Sequence, residues 1–308
     1  MRALVLGGTG AVGNATVAAL RARGHDALRG SRRPPAGAEH MQLDLATAEG
    51  LGRLIEAAKT CDVVINASGS EDPRIASELA RAPYVDTSAS TAYLARLRAL
   101  PGDATRVVGA GIAPGVSTVL AAAVDPRAGD DIDIQVLLGT GEVHGPAAVA
   151  WTAQLAGRAI HGAPEDPPLL NYRERRRMSV DGRSRLHLRT DFPDHLLLDA
   201  TGAQIRTYLT LGSPVATAGL ALVGLLPGLR GMLAAAPHWG DERWRVAVTN
   251  RRTGQTLAAG GLGQSRATGE FAALAAIRAA EQPGLGAVTM ADLFGLEVLE
   301  QAGSVATR

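Results

Sequence analysis

Arg2-Ala3-Leu4-Val5-Leu6-Gly7-Gly8-Thr9-Gly10-Ala11-Val12-Gly13 opens the chain, and its reading decides the fold. Four consecutive apolar residues end on a pair of glycines. A run that is apolar at every position, not at alternate ones, suits a strand buried on both faces, as in a parallel sheet covered by helices. From Ala11 to Arg23 the apolar residues recur at helical spacing, and Gly24 stops the pattern. The order strand, glycine turn, helix sets the unpaired N–H groups of a helix start over the end of a strand. That arrangement holds anions.

Gly8, Gly10 and Gly13 satisfy the G-x-G-x-x-G spacing, and Gly7, Gly10 and Gly13 fit the variant of short-chain-type reductases. Such a turn must be tight, must let the backbone approach a pyrophosphate, and must let helix and strand pack closely. The expected contacts are Gly7, Thr9, Gly10, Ala11, Val12 and Gly13, with the Thr9 hydroxyl as an added donor. Outward from this turn, strands are expected near His25–Leu28, Met41–Leu43, Asp62–Asn66, Tyr84–Asp86 and Thr105–Gly109, with helical stretches between them. This alternation predicts an α/β fold: an N-terminal Rossmann, doubly wound parallel sheet with helices on both faces.

The end of the second strand selects the cofactor. An NAD-binding chain usually places Asp or Glu there, bonded to the ribose 2′-hydroxyl. Here the sequence is Leu28-Arg29-Gly30-Ser31-Arg32-Arg33, with no carboxylate. Ser31 can bond a 2′-phosphate, Arg32 can pair with it and stack on adenine, and Arg33 or Arg29 can assist. The expected cofactor is therefore NADP(H). Asp44 and Leu45 are expected to flank the adenine. Ala67, Ser68, Gly69 and Thr87, at the carboxyl ends of later strands, are expected nearer the nicotinamide ribose.

Beyond Pro114-Gly115 an apolar helix is expected, and then the polar turn from Asp125 to Asp130. The rhythm changes there. Ile132–Leu138, Leu186–Arg189, Gln204–Leu211, Trp244–Thr249 and Gln255–Ala259 read as strands of a mixed or antiparallel sheet, and Asn250–Gly254 as a hairpin turn. The expected organisation is a cofactor domain over 1–125, a second α/β domain for substrate or dimerisation over 126–286, and a C-terminal helix over 287–308 returning to the first domain. Thr207–Leu229 carries no charge, but glycines and prolines interrupt it. It is expected as a buried or subunit-contact helix, and hence the protein as a homodimer; membrane contact is the lesser alternative.

The net charge of +1 gives no reason to expect nucleic acid as a partner. A single cysteine, Cys61, fits a reducing cytoplasmic setting and precludes a zinc–thiolate constellation, so no metal is expected. No leader segment is expected before the first strand. Lys59 is the only lysine, and no tyrosine has a lysine four positions on. The Tyr-x-x-x-Lys mechanism of short-chain dehydrogenases is thereby excluded, and no Gly-x-Ser-x-Gly elbow is present. For the proton that accompanies hydride transfer to a small substrate, the loop Gly139–Gly145 offers Glu142 and His144 between flexible glycines. The alternative reading is a non-catalytic NADP(H) sensor or scaffold, since a nucleotide fold does not guarantee chemistry.

Several segments together resemble one family. Gly7–Gly13, Gly24-His25-Asp26 with Ser31-Arg32-Arg33, Asp62–Ala67, Tyr84-Val85-Asp86-Thr87-Ser88 and Gly109–Gly115 look like the saccharopine dehydrogenase-like NADP-binding domain. Asp191-Phe192-Pro193, Ala267-Thr268 and Pro283-Gly284 are also similar. The resemblance implies a Rossmann domain, a second domain with a mixed sheet and an NADP(H)-dependent oxidoreductase. It leaves the substrate open, because the family includes enzymes acting on imines of amino acids and relatives of enoyl reductases. The chain is shorter than saccharopine reductases, which argues against saccharopine itself.

Overall fold

The computed structural model describes the chain apart from residues 38, 80, 81, 143–145, 163, 164, 236–239 and 308. Its strands, in chain order, are β1 (Arg2–Leu6), β2 (Asp26–Ser31), β3 (His40–Gln42), β4 (Val63–Asn66), β5 (Tyr84–Asp86), β6 (Arg106–Val108) and β7 (Asp131–Leu138). They continue with β8 (Arg175–Val180), β9 (Arg183–Arg189), β10 (Gln204–Leu211), β11 (Arg243–Asn250), β12 (Thr256–Leu262), β13 (Ala287–Val288) and β14 (Val305–Thr307). The chain forms two compact units, Met1–Val116 with Ser265–Ala302, and Ser117–Gln264 with Gly303–Arg308.

The first unit is a parallel sheet in the order β13-β6-β5-β4-β1-β2-β3. From β1 the chain winds outward through β2 and β3, then returns to the other side of β1 through β4, β5 and β6. The strand order therefore reverses between β1 and β4, where open α/β sheets bind ligands. Leu4, Val5, Val64, Ile65, Val85 and Val107 are fully buried, as their unbroken apolar runs require. The helix Ala11–Ala22 buries Val17 and Leu20, and the helix Gln264–Glu281 buries Phe271, Ala272, Ala275 and Ala279. These two helices nearly touch at the backbone. A Cβ on Gly269 would lie 2.5 Å from Ala15 Cβ and 2.7 Å from Thr16 N.

The second unit holds a mixed sheet in the order β14-β12-β11-β7-β10-β9-β8, in which β7 and β10 run parallel and the other pairs antiparallel. On β7, Ile132, Ile134 and Val136 line one face, while Asp133 and Gln135 occupy the other. The α/β class, with a doubly wound parallel sheet and a mixed second sheet, is as the sequence predicts.

Several local expectations need correction. The arginine-dense stretch contains a full hairpin of β8 and β9, not a single strand at 186–189. Its turn is Asp181-Gly182, at φ 50° and 73°, a pair suited to a tight hairpin. In the uncharged run 207–229 the strand expected to Leu211 is β10, but the helix expected over the whole run covers only Pro214–Leu225, capped by Ser213. The final helix is two short ones, Met290–Leu293 and Glu297–Gln301, separated around Gly295. The division between units lies at 116/117, not 125/126. The long helix ending at Glu281 belongs with the first unit because its small residues match the close approach of Ala11–Ala22. The C-terminal segment divides at Ala302, its last strand joining the second sheet.

Candidate functional site

The glycine turn sits at the carboxyl end of β1. Gly7 donates its N–H to Gly30 O on β2 at 2.8 Å, and its own carbonyl accepts the Gly10 N–H at 2.9 Å. Gly7 has φ 73°, and a Cβ there would meet Ala67 O and Ser68 Cα at 2.6 Å. A Cβ on Gly13 would lie 2.2 Å from Gly7 O. These two positions accept only glycine because backbone occupies the space of a side chain. Gly10 caps the helix Ala11–Ala22 with extended backbone at φ −78°, it supplies no side-chain cap to the first-turn N–H groups, and that turn carries no carboxylate. Thr9, Gly10 and Ala11 are exposed, Val12 is half-buried and Gly13 buried. The open N–H groups and the absence of negative charge suit an incoming anion.

Ser31 closes β2 beside this turn, and its hydroxyl oxygen is buried without a hydrogen-bond partner. Arg32 and Arg33 are exposed, and neither forms an ion pair among the described residues. Arg29 does something the sequence did not suggest. Its guanidinium donates to Gly8 O and Asn14 Oδ1, each at 2.5 Å, tying the glycine turn to the first helix. Burial, and then the neighbouring Arg21, push its pKa down. Arg29 therefore braces the turn rather than reaching for phosphate. Asp44 uses Oδ1 to accept the Ala46 N–H at 3.2 Å, and its carbonyl accepts from Thr47, so it shapes the entry to the helix Ala48–Ala58, with Leu45 half-buried beside it.

Across the switch point, the ends of β4 and β5 carry a hydrogen-bonded polar network. Asp86 is fully buried. Its Oδ2 accepts from Tyr84 OH at 2.9 Å, Tyr93 OH at 2.8 Å and Asn66 Nδ2 at 2.9 Å, and its Oδ1 accepts the Ser88 N–H at 2.7 Å. Burial, and then the Asp86 charge, raise the pKa of both phenols, so both remain protonated donors. Asn66 Oδ1 in turn accepts from Ser68 Oγ at 2.6 Å and Ser68 N at 3.2 Å. Thr87 Oγ1 donates to Asn66 O at 3.0 Å. Ala67 is half-buried, while Ser68 and Gly69 are exposed. The structure thus brings the strand-end residues Ala67, Ser68 and Thr87 together around Asn66, with Ala67 and Ser68 against Gly7. Tyr93 joins this group without a signal in the sequence. It comes from the next helix, Thr91–Arg98, and no spacing rule links it to Asp86.

In the second unit, Glu142 accepts the Gln264 N–H, and Gln264 Nε2 donates to Gly139 O at 2.8 Å. Glu142 and Gln264 thus hold the loop that follows β7. His144 lies outside the described residues. His195 bonds Phe192 O at 2.9 Å and His161 O at 2.7 Å, the role of a turn-holding residue. Among the described residues, no cluster of three His, Cys, Asp or Glu could hold a metal ion, and no helix is long and apolar enough to cross a membrane.

Residues 3–100 match the profile of a family described as the NAD dependent epimerase/dehydratase family. Among solved structures, the chain is similar to an engineered D-amino acid dehydrogenase bound to NADP+, at 14% identity and a TM-score of 0.51, covering 97% of this chain and 98% of that one. It also matches a dipicolinate-bound dihydrodipicolinate reductase from Paenisporosarcina sp. TG-14, at 14% identity and a TM-score of 0.41 over 96% and 98% of the two chains. No curated protein matches the chain. At such identities the likeness to the dehydrogenase is one of fold alone.

Proposed function

We propose that this chain is an NADP(H)-dependent oxidoreductase that exchanges hydride with a small substrate. The observation that carries the reading is the glycine turn, with its uncapped helix start, beside a strand end that offers Ser31 and Arg32 where an NAD site would place a carboxylate. The residues fit a phosphorylated dinucleotide. Gly7, Gly10 and Gly13 keep the turn free of side chains, the first-turn N–H groups face an anion, and the orphaned Ser31 hydroxyl gains an acceptor from a 2′-phosphate. When bound, the cofactor supplies the hydride donor or acceptor. The chain's own residues bind and orient it.

Tyr84–Ser88 and Gly109–Gly115 favour the saccharopine dehydrogenase-like type within this class, and with it a substrate that is an imine or an amino-acid derivative. The chemistry of the strand ends supports that preference. Ser68 and Thr87 both donate inward, and Asp86 already accepts four hydrogen bonds, so none of these three supplies a proton. An iminium carries its own positive charge to hydride transfer, whereas a carbonyl needs an acid. If an acid is used, we assign it to His144, because Glu142 serves as an acceptor for the Gln264 N–H. The same lack of a proton donor at these strand ends favours the second reading, an NADP(H) sensor without chemistry. Following NADPH absorbance while offering carbonyl compounds with and without ammonia or amines separates the two. Oxidation with the amine present supports the oxidoreductase. Tight NADPH binding without turnover across such a panel favours the sensor.

A further inference from the structure

Counting donors and acceptors at the β4 end fixes the role of one exposed hydroxyl. Asn66 Nδ2 faces two acceptors, Asp86 Oδ2 and Ser70 O, both at 2.9 Å. Its Oδ1 faces two donors, the Ser68 hydroxyl and the Ser68 N–H. The amide therefore has one consistent orientation, set by the buried carboxylate of Asp86. That carboxylate cannot turn the pattern around, because Tyr84 and Tyr93 also donate to it. Ser68 Oγ gives its single proton to Asn66 Oδ1 and accepts the Ser70 N–H at 3.2 Å. A hydroxyl has one proton and two lone pairs. One lone pair is left, on an exposed residue whose backbone packs against Gly7 of the glycine turn.

We propose that Asp86, acting through Asn66, is a positioning residue that makes Ser68 a fixed hydrogen-bond acceptor for a ribose hydroxyl of the bound dinucleotide. The inference rests on the cofactor reading above and deepens it. A phosphate oxygen brings no proton, so it cannot satisfy this lone pair; the ligand groups that can are O–H or N–H donors. Beside a turn that holds the pyrophosphate, the donors within reach belong to the flanking riboses. A preset acceptor also loses little orientational freedom on binding, which favours affinity.

The test is a binding cycle on the full chain, with NADPH as the probe. Ser68→Ala should weaken NADPH binding about 3- to 10-fold, the size of one neutral hydrogen bond. Against NADPH analogues lacking one ribose hydroxyl, tested in turn, the substitution should have no effect for the analogue that lacks the donated group. Asp86→Asn should weaken NADPH binding by a similar factor in the parent, and by little when Ser68 is already alanine. A purely structural role for Asp86 would instead multiply the two losses. Should Asp86→Asn fail to fold, the Ser68→Ala arm with the analogues decides alone. Equal losses for Ser68→Ala with NADPH and with every deoxy analogue, or no loss at all, overturn the inference while leaving the cofactor reading intact. Absence of NADPH binding by the unmodified chain overturns both.

Discussion

Gly13 and Gly10 lie three residues apart in one turn, yet the structure predicts different consequences for substituting them. A methyl at Gly13 would sit 2.2 Å from Gly7 O, 2.7 Å from Gly7 C and 2.9 Å from Gly8 Cα, where ordinary contact begins near 3.4 Å. The obstacle is backbone on a turn hydrogen-bonded to β2, so relief requires the turn to shift by about 1 Å, at an overpacking cost of about 1–3 kcal/mol. Replacing glycine in a helix recovers up to about 1 kcal/mol of propensity. The net expectation for Gly13→Ala is a loss of about 1–2 kcal/mol of stability, with cofactor binding impaired because Gly7 and Gly8 move. At Gly10 the nearest atom to a new Cβ is Gly7 O, at 3.3 Å, and the backbone is ordinary extended conformation. Gly10→Ala should therefore cost the fold less than about 1 kcal/mol, the difference between a glycine and an alanine cap. Its methyl nevertheless projects from an exposed cap position into the space a phosphate must enter, and Gly10→Val extends the obstruction. Urea unfolding and NADPH fluorescence titration, run on the same samples, separate the two effects. Retention of parental NADPH affinity by Gly10→Val, in a folded protein, would refute the assignment of this turn to the pyrophosphate.

Three further outcomes are expected. Arg32→Ala should reduce the preference for NADPH over NADH by roughly 1–3 kcal/mol, as for a charge-assisted phosphate contact, with NADH affinity almost unchanged; titration of both nucleotides checks this. His187 is fully buried, bonds Arg185 O at 3.1 Å through Nδ1 and leaves Nε2 unpartnered, and burial lowers its pKa. Its unfolded form therefore takes up a proton first, so its contribution is intact above about pH 6.5 and is lost as the pH falls below it. Urea midpoints at pH 7.5 and 5.5 should show a smaller acid-induced loss in His187→Gln than in the parent. The helix Pro214–Leu225 and the residue after it expose Val215, Leu222, Leu225 and Leu226, at 81%, 48%, 41% and 54%. We propose that this stripe is a homodimer contact, so light scattering should give a dimer mass that Leu222→Glu lowers; a monomer mass for the parent would exclude it.

The first unit was legible because its signals are local. Val5 and Ile65 lie in unbroken apolar runs, and Gly7, Gly10 and Gly13 mark a turn by spacing alone. The second unit was read less completely. β8 opens with three consecutive arginines, Arg175-Arg176-Arg177, and their charge masked a strand whose clearest sign was the Asp181-Gly182 turn. In Thr207–Leu229 the strand to Leu211 was legible, but the absence of charge hid that the helix begins only at Pro214 and ends at Leu225. The Asp86 network was out of reach for another reason: Tyr84, Tyr93 and Asn66 converge from two strands and a helix, and only tertiary packing brings them together. Arg29 illustrates the same limit. Its position at the cofactor-selecting strand suggested phosphate, but its reach to Gly8 O and Asn14 depends on how the first helix leaves the turn.

Titration of the unmodified chain with NADPH and with NADH, followed by calorimetry in one buffer, tests the central claim most directly. The account predicts one NADPH site per chain, with NADPH bound at least about tenfold more tightly than NADH, equivalent to about 1.4 kcal/mol or more. Equal affinity for the two nucleotides, or no heat with either, would contradict it.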